Sequence, residues 1–188
     1  SEAYDVTIVG AGPSGLSAAS VLSEYPLKIL LIDENGQTGG QLWRKPAFEP
    51  IKKPKNRDRL KAQISVGTTN GYDGQNLRII KPACVLGVFP ENYLLLSTAD
   101  TGVIEIKSRK IIFSTGAREK VRPFKGWTLP GVMTTGAAQI LLKTYGILPA
   151  SEMLLAGGGP LLYLFASQAL SAQGKVMAVL DRTAMLSV

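Results

Sequence analysis

The run Tyr4-Asp-Val-Thr-Ile-Val9 passes directly into Gly10-Ala-Gly-Pro-Ser-Gly15 and then into Leu16-Ser-Ala-Ala-Ser-Val-Leu22. The first segment is β-branched and apolar and the last is built from good helix formers, so the order predicts strand, tight turn and helix. Lys28-Ile-Leu-Leu-Ile32 supplies a second apolar run that closes on Asp33, eighteen residues after Gly15. That spacing fits a βαβ unit with an acidic residue at the tip of its second strand.

Each glycine has a physical task. Gly10 permits the turn, Gly12 lets the backbone approach a pyrophosphate, and Gly15 lets the helix pack closely on the sheet. Pro13 and Ser14 lie inside the same turn and belong to the same candidate cofactor-binding set. Phosphates at a helix N-terminus meet unpaired N–H groups and the positive end of the helix dipole, so no basic side chain is needed. Asp33 can accept hydrogen bonds from ribose hydroxyls, and its charge repels a 2′-phosphate; Glu34 is an alternative or a second acceptor for that role, but the strand end points to Asp33. A glycine fingerprint alone is weak evidence. Here the strand, helix, second strand and terminal acid all stand in register, which points to dinucleotide binding.

The pattern returns near the end of the chain. Ser151-Glu-Met-Leu-Leu-Ala156 runs into Gly157-Gly-Gly159-Pro-Leu-Leu162, an apolar helix follows through Leu170, and Lys175-Val-Met-Ala-Val-Leu180 ends on Asp181. Gly157, Gly159 and Asp181 are the candidate contacts of a second nucleotide site. Two such units in one chain suggest two sites facing each other. Leu162 stands at the third glycine position, where a bulky side chain is expected to push the helix from the sheet. NAD is the expected occupant, because Asp181 disfavours a 2′-phosphate, although Arg182 beside it could accommodate one.

Between the units, Leu77 to Ile80, Val85 to Phe89, Tyr93 to Thr98 and Val103 to Ile106 read as short strands divided by turns at Pro90-Glu-Asn92 and Ala99-Asp-Thr-Gly102. Lys110-Ile-Ile-Phe is another strand. It ends in Ser114-Thr-Gly116, placing Thr115 and Gly116 at the carboxyl edge where open α/β sheets bind ligands. The loop Gly39-Gly40-Gln41 again allows close backbone approach, and Gly40 and Gln41 join the candidate set.

The formal charge of +7 invites a nucleic-acid reading. Much of the basic excess lies in the proline-interrupted stretch from Arg44 to Lys61, which reads as a solvated connection or subunit contact. No nucleic-acid partner is therefore expected. The chain has no histidine and a single cysteine, Cys84, so acid–base chemistry falls to carboxylates, Lys, Tyr, Cys84 or a cofactor. Neither a disulfide framework nor a metal cluster is expected. No apolar run reaches the roughly 20 residues of a membrane span, and the first residues do not resemble a secretory signal. The expected location is the cytoplasm.

Taken together, the Gly10-to-Gly15 fingerprint with Asp33, the Gly39-Gly40-Gln41 loop, and Ser114-Thr-Gly-Ala-Arg118 leading to Leu129-Pro-Gly-Val132 resemble the two-dinucleotide-domain flavoproteins of the glutathione-reductase superfamily. Leu129-Pro-Gly-Val-Met-Thr-Thr-Gly-Ala-Ala-Gln139 and Ala156-Gly-Gly-Gly-Pro-Leu-Leu162 are most similar to the FAD-containing subunits of opine oxidases, hydrogen cyanide synthases, D-hydroxyproline dehydrogenases and heteromeric proline or sarcosine dehydrogenases. The resemblance covers essentially the whole chain. It implies an α/β fold: a Rossmann-like FAD-binding domain with a three-layer sheet and β-meander over residues 1–125, and a connecting segment with a helix over 126–150. The start of a second Rossmann-like domain, with NAD as its candidate cofactor, follows over 151–188.

The same resemblance implies FAD at the first fingerprint, Thr115 and Gly116 near the flavin nucleotide, and a backbone contact to adenine near Val85. The implied function is oxidation of a C–N bond in an amino acid, opine or related amine, within a hetero-oligomeric complex. Two alternatives stand beside it: an NAD(P)H-dependent flavin reductase feeding a protein acceptor, and a non-catalytic nucleotide-binding or assembly subunit. No CxxxxC pair follows Gly40, so disulfide reduction is not expected. Gln41 and Arg44 are the nearest polar candidates for the flavin or substrate region. Only seven residues follow Asp181, and the expectation is a fragment of a longer protein or a sheet completed by partner subunits.

Overall fold

A computed structural model describes residues 2–43 and 76–182. The basic stretch from Arg44 to Lys61 lies outside the described residues. Those described fall into two compact units, one up to residue 117 and the other from 118 onward.

The first unit is organised by strands whose apolar residues leave no solvent face. β1 (Glu2–Val9) and β2 (Ile29–Ile32) pair in parallel, with Val9 opposite Ile32, and β3 (Leu77–Ile80) continues the parallel sheet beyond β2. All four residues of β2 are buried. Ile29 and Leu31 pack with Leu16 and Ala19 of α1 (Pro13–Leu22), whereas Leu30 and Ile32 pack on the opposite face with Leu94 and Leu96. A parallel strand covered on both sides has to read as an unbroken apolar run rather than an alternating one.

The second face is covered by an antiparallel meander of β4 (Ala83–Phe89), β5 (Tyr93–Thr98) and β6 (Gly102–Phe113). The sheet order is β3-β2-β1-β6-β5-β4. Helix, parallel sheet and meander give the expected three-layer α/β arrangement. Two segments expected as separate strands, Val103–Ile106 and Lys110–Phe113, are one twelve-residue strand. Its first half pairs with β5, and Ile106 to Phe113 pair in parallel with β1. The polar stretch Lys107-Ser-Arg-Lys110 imitates a turn in sequence. In the fold Ser108 is buried and its hydroxyl donates to the Lys110 carbonyl at 2.7 Å, so the chain stays extended through it.

The second unit contains α3 (Thr135–Ile140), prolonged by a wider π turn (Leu141–Tyr145), then β7 (Glu152–Gly157), α4 (Pro160–Ser171) and β8 (Lys175–Asp181). Thr134 caps α3 by accepting from the Ala137 amide. β7 and β8 pair in parallel, with Gly157 opposite Asp181. Phe165, Ala166 and Ala169 of α4 pack with Met153 and Leu155 of β7 and Ala138 of α3. The buried Gln139 joins α3 to α4 by donating to Gln168 at 3.0 Å. Among the described residues, no helix is long and apolar enough to cross a membrane.

Tyr4, buried in the first core, receives a hydrogen bond from Arg78, which also pairs with Glu2. Burial pushes the Tyr4 hydroxyl up to about 12, against the opposing pull of Arg78. The unfolded phenol ionises near 10, so the folded state resists a charge that the unfolded state accepts. Stability held below about pH 10 is therefore lost as pH rises toward about 12. Urea unfolding across that window should show this loss in the wild type and a shallower one in Tyr4→Phe; equal slopes would contradict it.

Candidate functional site

The first glycine turn is fixed by close approach of main chain to main chain. Gly10 has φ +103°, its amide donates to the Ile32 carbonyl at 2.7 Å, and a Cβ there would lie 2.3 Å from the Ser114 oxygen. At Gly15 a Cβ would lie 1.8 Å from the Gly10 carbonyl oxygen. No other side chain fits at that point, so α1 begins hard against the turn. Gly12 precedes the helix in extended conformation and lends it no side-chain cap. The start of the helix thus keeps amides for an anion, apart from Pro13, which has none.

A second glycine loop closes on the first. The Gly39 amide donates to the Ala11 carbonyl at 2.7 Å, and a Cβ on Gly40 (φ +54°) would lie 3.0 Å from the Gly12 Cα. Gly40 opens the short helix α2 (Gly40–Trp43), on which Gln41 is exposed. Arg44 lies outside the described residues. Main chain of Gly12 and Gly40 therefore meets at this point, with the Pro13 ring as the side chain beside it. That cradle fits a dinucleotide.

Asp33 is 7% exposed and its carboxylate is turned inward. One oxygen accepts the Ala11 amide at 2.6 Å; the other accepts the Asn35 amide at 2.8 Å and the Asn35 side chain at 3.0 Å. Its main chain is held as well, for the Ala83 amide donates to the Asp33 carbonyl at 2.8 Å. That bond brings the start of β4, and with it half-buried Val85, to the end of β2. Glu34, the next residue, is exposed. Ser114 anchors the end of β6 by donating its amide to Val9 at 2.7 Å, and Thr115 and Gly116 follow, exposed, with Gly116 at φ +77°. The fold therefore gathers the expected first-site residues at one edge of one sheet. Asn35 was not anticipated, although an Asn two residues after an Asp at a strand end is a known turn-forming pattern.

The second turn is built differently. Gly159 has φ +104° and open space where its Cβ would stand. Leu162 neither wedges the helix off the sheet nor contacts solvent; it is 4% exposed and belongs to the core with Phe165 and Leu155. A Cβ on Gly157 would meet the Leu162 side chain at an ordinary 3.9 Å. The helix here is seated by a side chain rather than by backbone contact.

Asp181 accepts the Tyr163 hydroxyl at 2.5 Å, and that bond holds the tyrosine above its usual range. Both Gly157 and Asp181 line a cavity of about 1250 Å³, together with Lys120, Arg122, Trp127 and Arg182. Glu119, at its edge, accepts the Gly136 amide at 2.6 Å. Neither Tyr163 nor Glu119 was singled out from sequence. Tyr163 could have been, because it directly follows the third glycine position.

Two glycine turns, each joining a parallel strand to a helix, define a fold with two βαβ units of the dinucleotide-binding type. Comparison with known proteins gives the family. Residues 4–187 match the pyridine nucleotide-disulphide oxidoreductase family, and the chain belongs to it. FAD is the cofactor this membership implies, and NAD(P) binding is common among its members.

An opine oxidase subunit of Rhizobium meliloti is 35% identical over 96% of this chain and 39% of its own length. The HcnB subunit of hydrogen cyanide synthase from Pseudomonas protegens is 30% identical over 95% of this chain and 38% of its own. The chain thus spans about two fifths of these curated relatives. The L-proline dehydrogenase from P. horikoshii, with a TM-score of 0.72 and 24% identity over 95% of this chain and 35% of that one, shares the fold.

The two turns should be destabilised through different positions. Gly15→Ala forces a methyl into the Gly10 carbonyl and should destabilise the first unit by more than about 3 kcal/mol. Leu162→Ala empties a core position and should cost about 2–5 kcal/mol, whereas Gly159→Ala, with open space but a backbone (φ +104°, ψ 168°) that is essentially restricted to glycine, should cost about 1–3 kcal/mol. Denaturant melts of the three variants check the order.

Proposed function

We propose that the chain is the nucleotide-binding part of an FAD-dependent oxidoreductase subunit that oxidises a C–N bond of an amino acid, opine or related amine, in a hetero-oligomeric complex in the cytoplasm. The observation that carries the cofactor half of this reading is the paired glycine cradle at Gly10, Gly12, Gly15 and Gly40, closed by main-chain contact. The substrate half is supported by identity to the opine oxidase and hydrogen cyanide synthase subunits. When bound, FAD supplies the acceptor for the electrons leaving the C–N bond.

The chain's own residues bind and orient that cofactor. Amides at the start of α1, with Ser14 among them, receive the pyrophosphate. Asp33 sets the turn by holding the Ala11 amide, leaving exposed Glu34 to accept from the ribose hydroxyls. Val85 offers main chain to the adenine, while Thr115, Gly116 and Gln41 border the nucleotide. Asp33→Ala should lower the stability of the flavin-free chain by about 1–3 kcal/mol, since it leaves a buried amide without a partner. Glu34→Ala should leave that stability unchanged and weaken FAD binding about tenfold. Equal effects of both substitutions on FAD affinity alone would contradict this division.

The experiment for the reaction class is an anaerobic titration of the flavin absorbance with the complementary subunits present. Bleaching by an opine or amino acid supports amine oxidation. Bleaching by a reduced nicotinamide nucleotide alone supports a second reading, a flavin reductase, which the cavity at Gly157 and Asp181 favours. Retention of nucleotide without redox turnover would leave an assembly subunit.

A further inference from the structure

The first unit carries a concentration of positive charge at the end of its sheet away from the glycine turns. A cavity of about 550 Å³ lies there, lined by Tyr4 of β1, by Lys107, Arg109 and Lys110 of β6, and by Glu91 and Asn92 of the turn between β4 and β5. Tyr4 stands six residues before Gly10, which is roughly 20 Å along an extended strand. The main chain around the cavity is pinned. Asn92 donates its side-chain amide to the Arg109 carbonyl at 3.2 Å, and the buried Ser108 hydroxyl donates to the Lys110 carbonyl at 2.7 Å. Glu91 and Asn92 are both left-handed, at φ +61° and +59°, a conformation uncommon outside glycine.

Three cations therefore line the cavity against one carboxylate. Lys107 pairs with that carboxylate, Glu91, at 3.2 Å, and Arg109 pairs with Asp5 at 3.2 Å. Lys110 forms no ion pair among the described residues. Both existing pairs are open to water, the Glu91 side chain being 74% exposed and that of Arg109 82%. Ion pairs this exposed hold weakly, so a ligand of higher charge can replace the carboxylate.

We propose that this cavity binds a phosphate dianion, free or as the head of a small phosphate monoester, with Arg109 and Lys110 as its main contacts and Lys107 as a third cation released from Glu91. A dianion engages several cations at once, which the single carboxylates of Glu91 and Asp5 do not. The guanidinium of Arg109 presents a planar fork that matches two phosphate oxygens, and the lysines add point charges. The volume exceeds what a bare phosphate fills, which leaves room for the organic part of an ester. The site is independent of the glycine turns and of the nucleotide reading attached to them.

The test is calorimetric titration of the full chain with inorganic phosphate and with glycerol 3-phosphate, at about pH 8, where phosphate is largely dianionic, and with sodium chloride at matched ionic strength. The expected result is saturable phosphate binding with a Kd of about 1 mM, and chloride binding weaker by about tenfold or more. Lys110→Gln and Arg109→Gln should each weaken phosphate binding about tenfold, whereas Glu91→Gln, which removes the competing carboxylate, should tighten it about threefold. Thermal melts without phosphate should be unchanged in Lys110→Gln and Glu91→Gln, so that a change in binding is not a change in folding. Tighter binding of glycerol 3-phosphate supports the site with a monoester as its ligand, and equal binding supports it with free phosphate. Binding indistinguishable from that of chloride overturns the proposal. So does phosphate binding that none of the three substitutions alters, because the anion then sits elsewhere, at a glycine turn.

Discussion

The first unit depends on the meeting of two pieces of main chain, the Gly10 carbonyl and the backbone of α1 at Gly15. A side chain at Gly15 would stand 1.8 Å from that oxygen. Once the contact is made, the helix axis, the direction of its first amides and the edge of the sheet are fixed together. Other features follow from it. Ser114 can approach Gly10 only because Gly10 lacks a Cβ, and Ala11 is turned so that its amide meets Asp33 and its carbonyl meets Gly39. A buried carboxylate accepting three N–H groups ties the turn, the end of β2 and Asn35 into one rigid piece. Burying that charge is tolerable because its acceptor capacity is filled.

The second unit reaches the same topology by another route. With Leu162 in place of the third glycine, seating of the helix passes from backbone contact to a side chain packed with Phe165 and Leu155. At Gly157 a Cβ would meet only the Leu162 side chain, at 3.9 Å, where at Gly10 it would meet the Ser114 oxygen at 2.3 Å. The next residue, Tyr163, donates its hydroxyl to Asp181. Leucine in place of glycine thus changes how the helix is packed.

Kinship and physics address different levels. Family membership and the relatives that share about a third of their residues with this chain define a class of flavoprotein. The chain spans about two fifths of those relatives, so assignment of substrate and partners rests on proteins that carry more than these residues. The nucleotide turns themselves lie wholly within the described residues, and their geometry stands without that kinship.

The sequence by itself determined the two βαβ units, because local signals there agree: apolar strand, glycine turn, helix formers, apolar strand and acid all lie within about thirty residues of each other. It also determined the short strands of the meander, whose turns are marked by Pro and Gly. Only the tertiary structure decided that Gly102 to Phe113 is one strand, since the continuity of its polar middle depends on pairing with β1 and β5, which are distant in sequence. It likewise decided the hydrogen-bond partners of Asp33 and the packing of Leu162. An acid at a strand tip has the same spelling whether it faces a ligand or an amide of its own turn, and a leucine the same spelling whether it wedges or packs. Burial and direction settle such cases, and both are properties of the assembled chain rather than of any local segment.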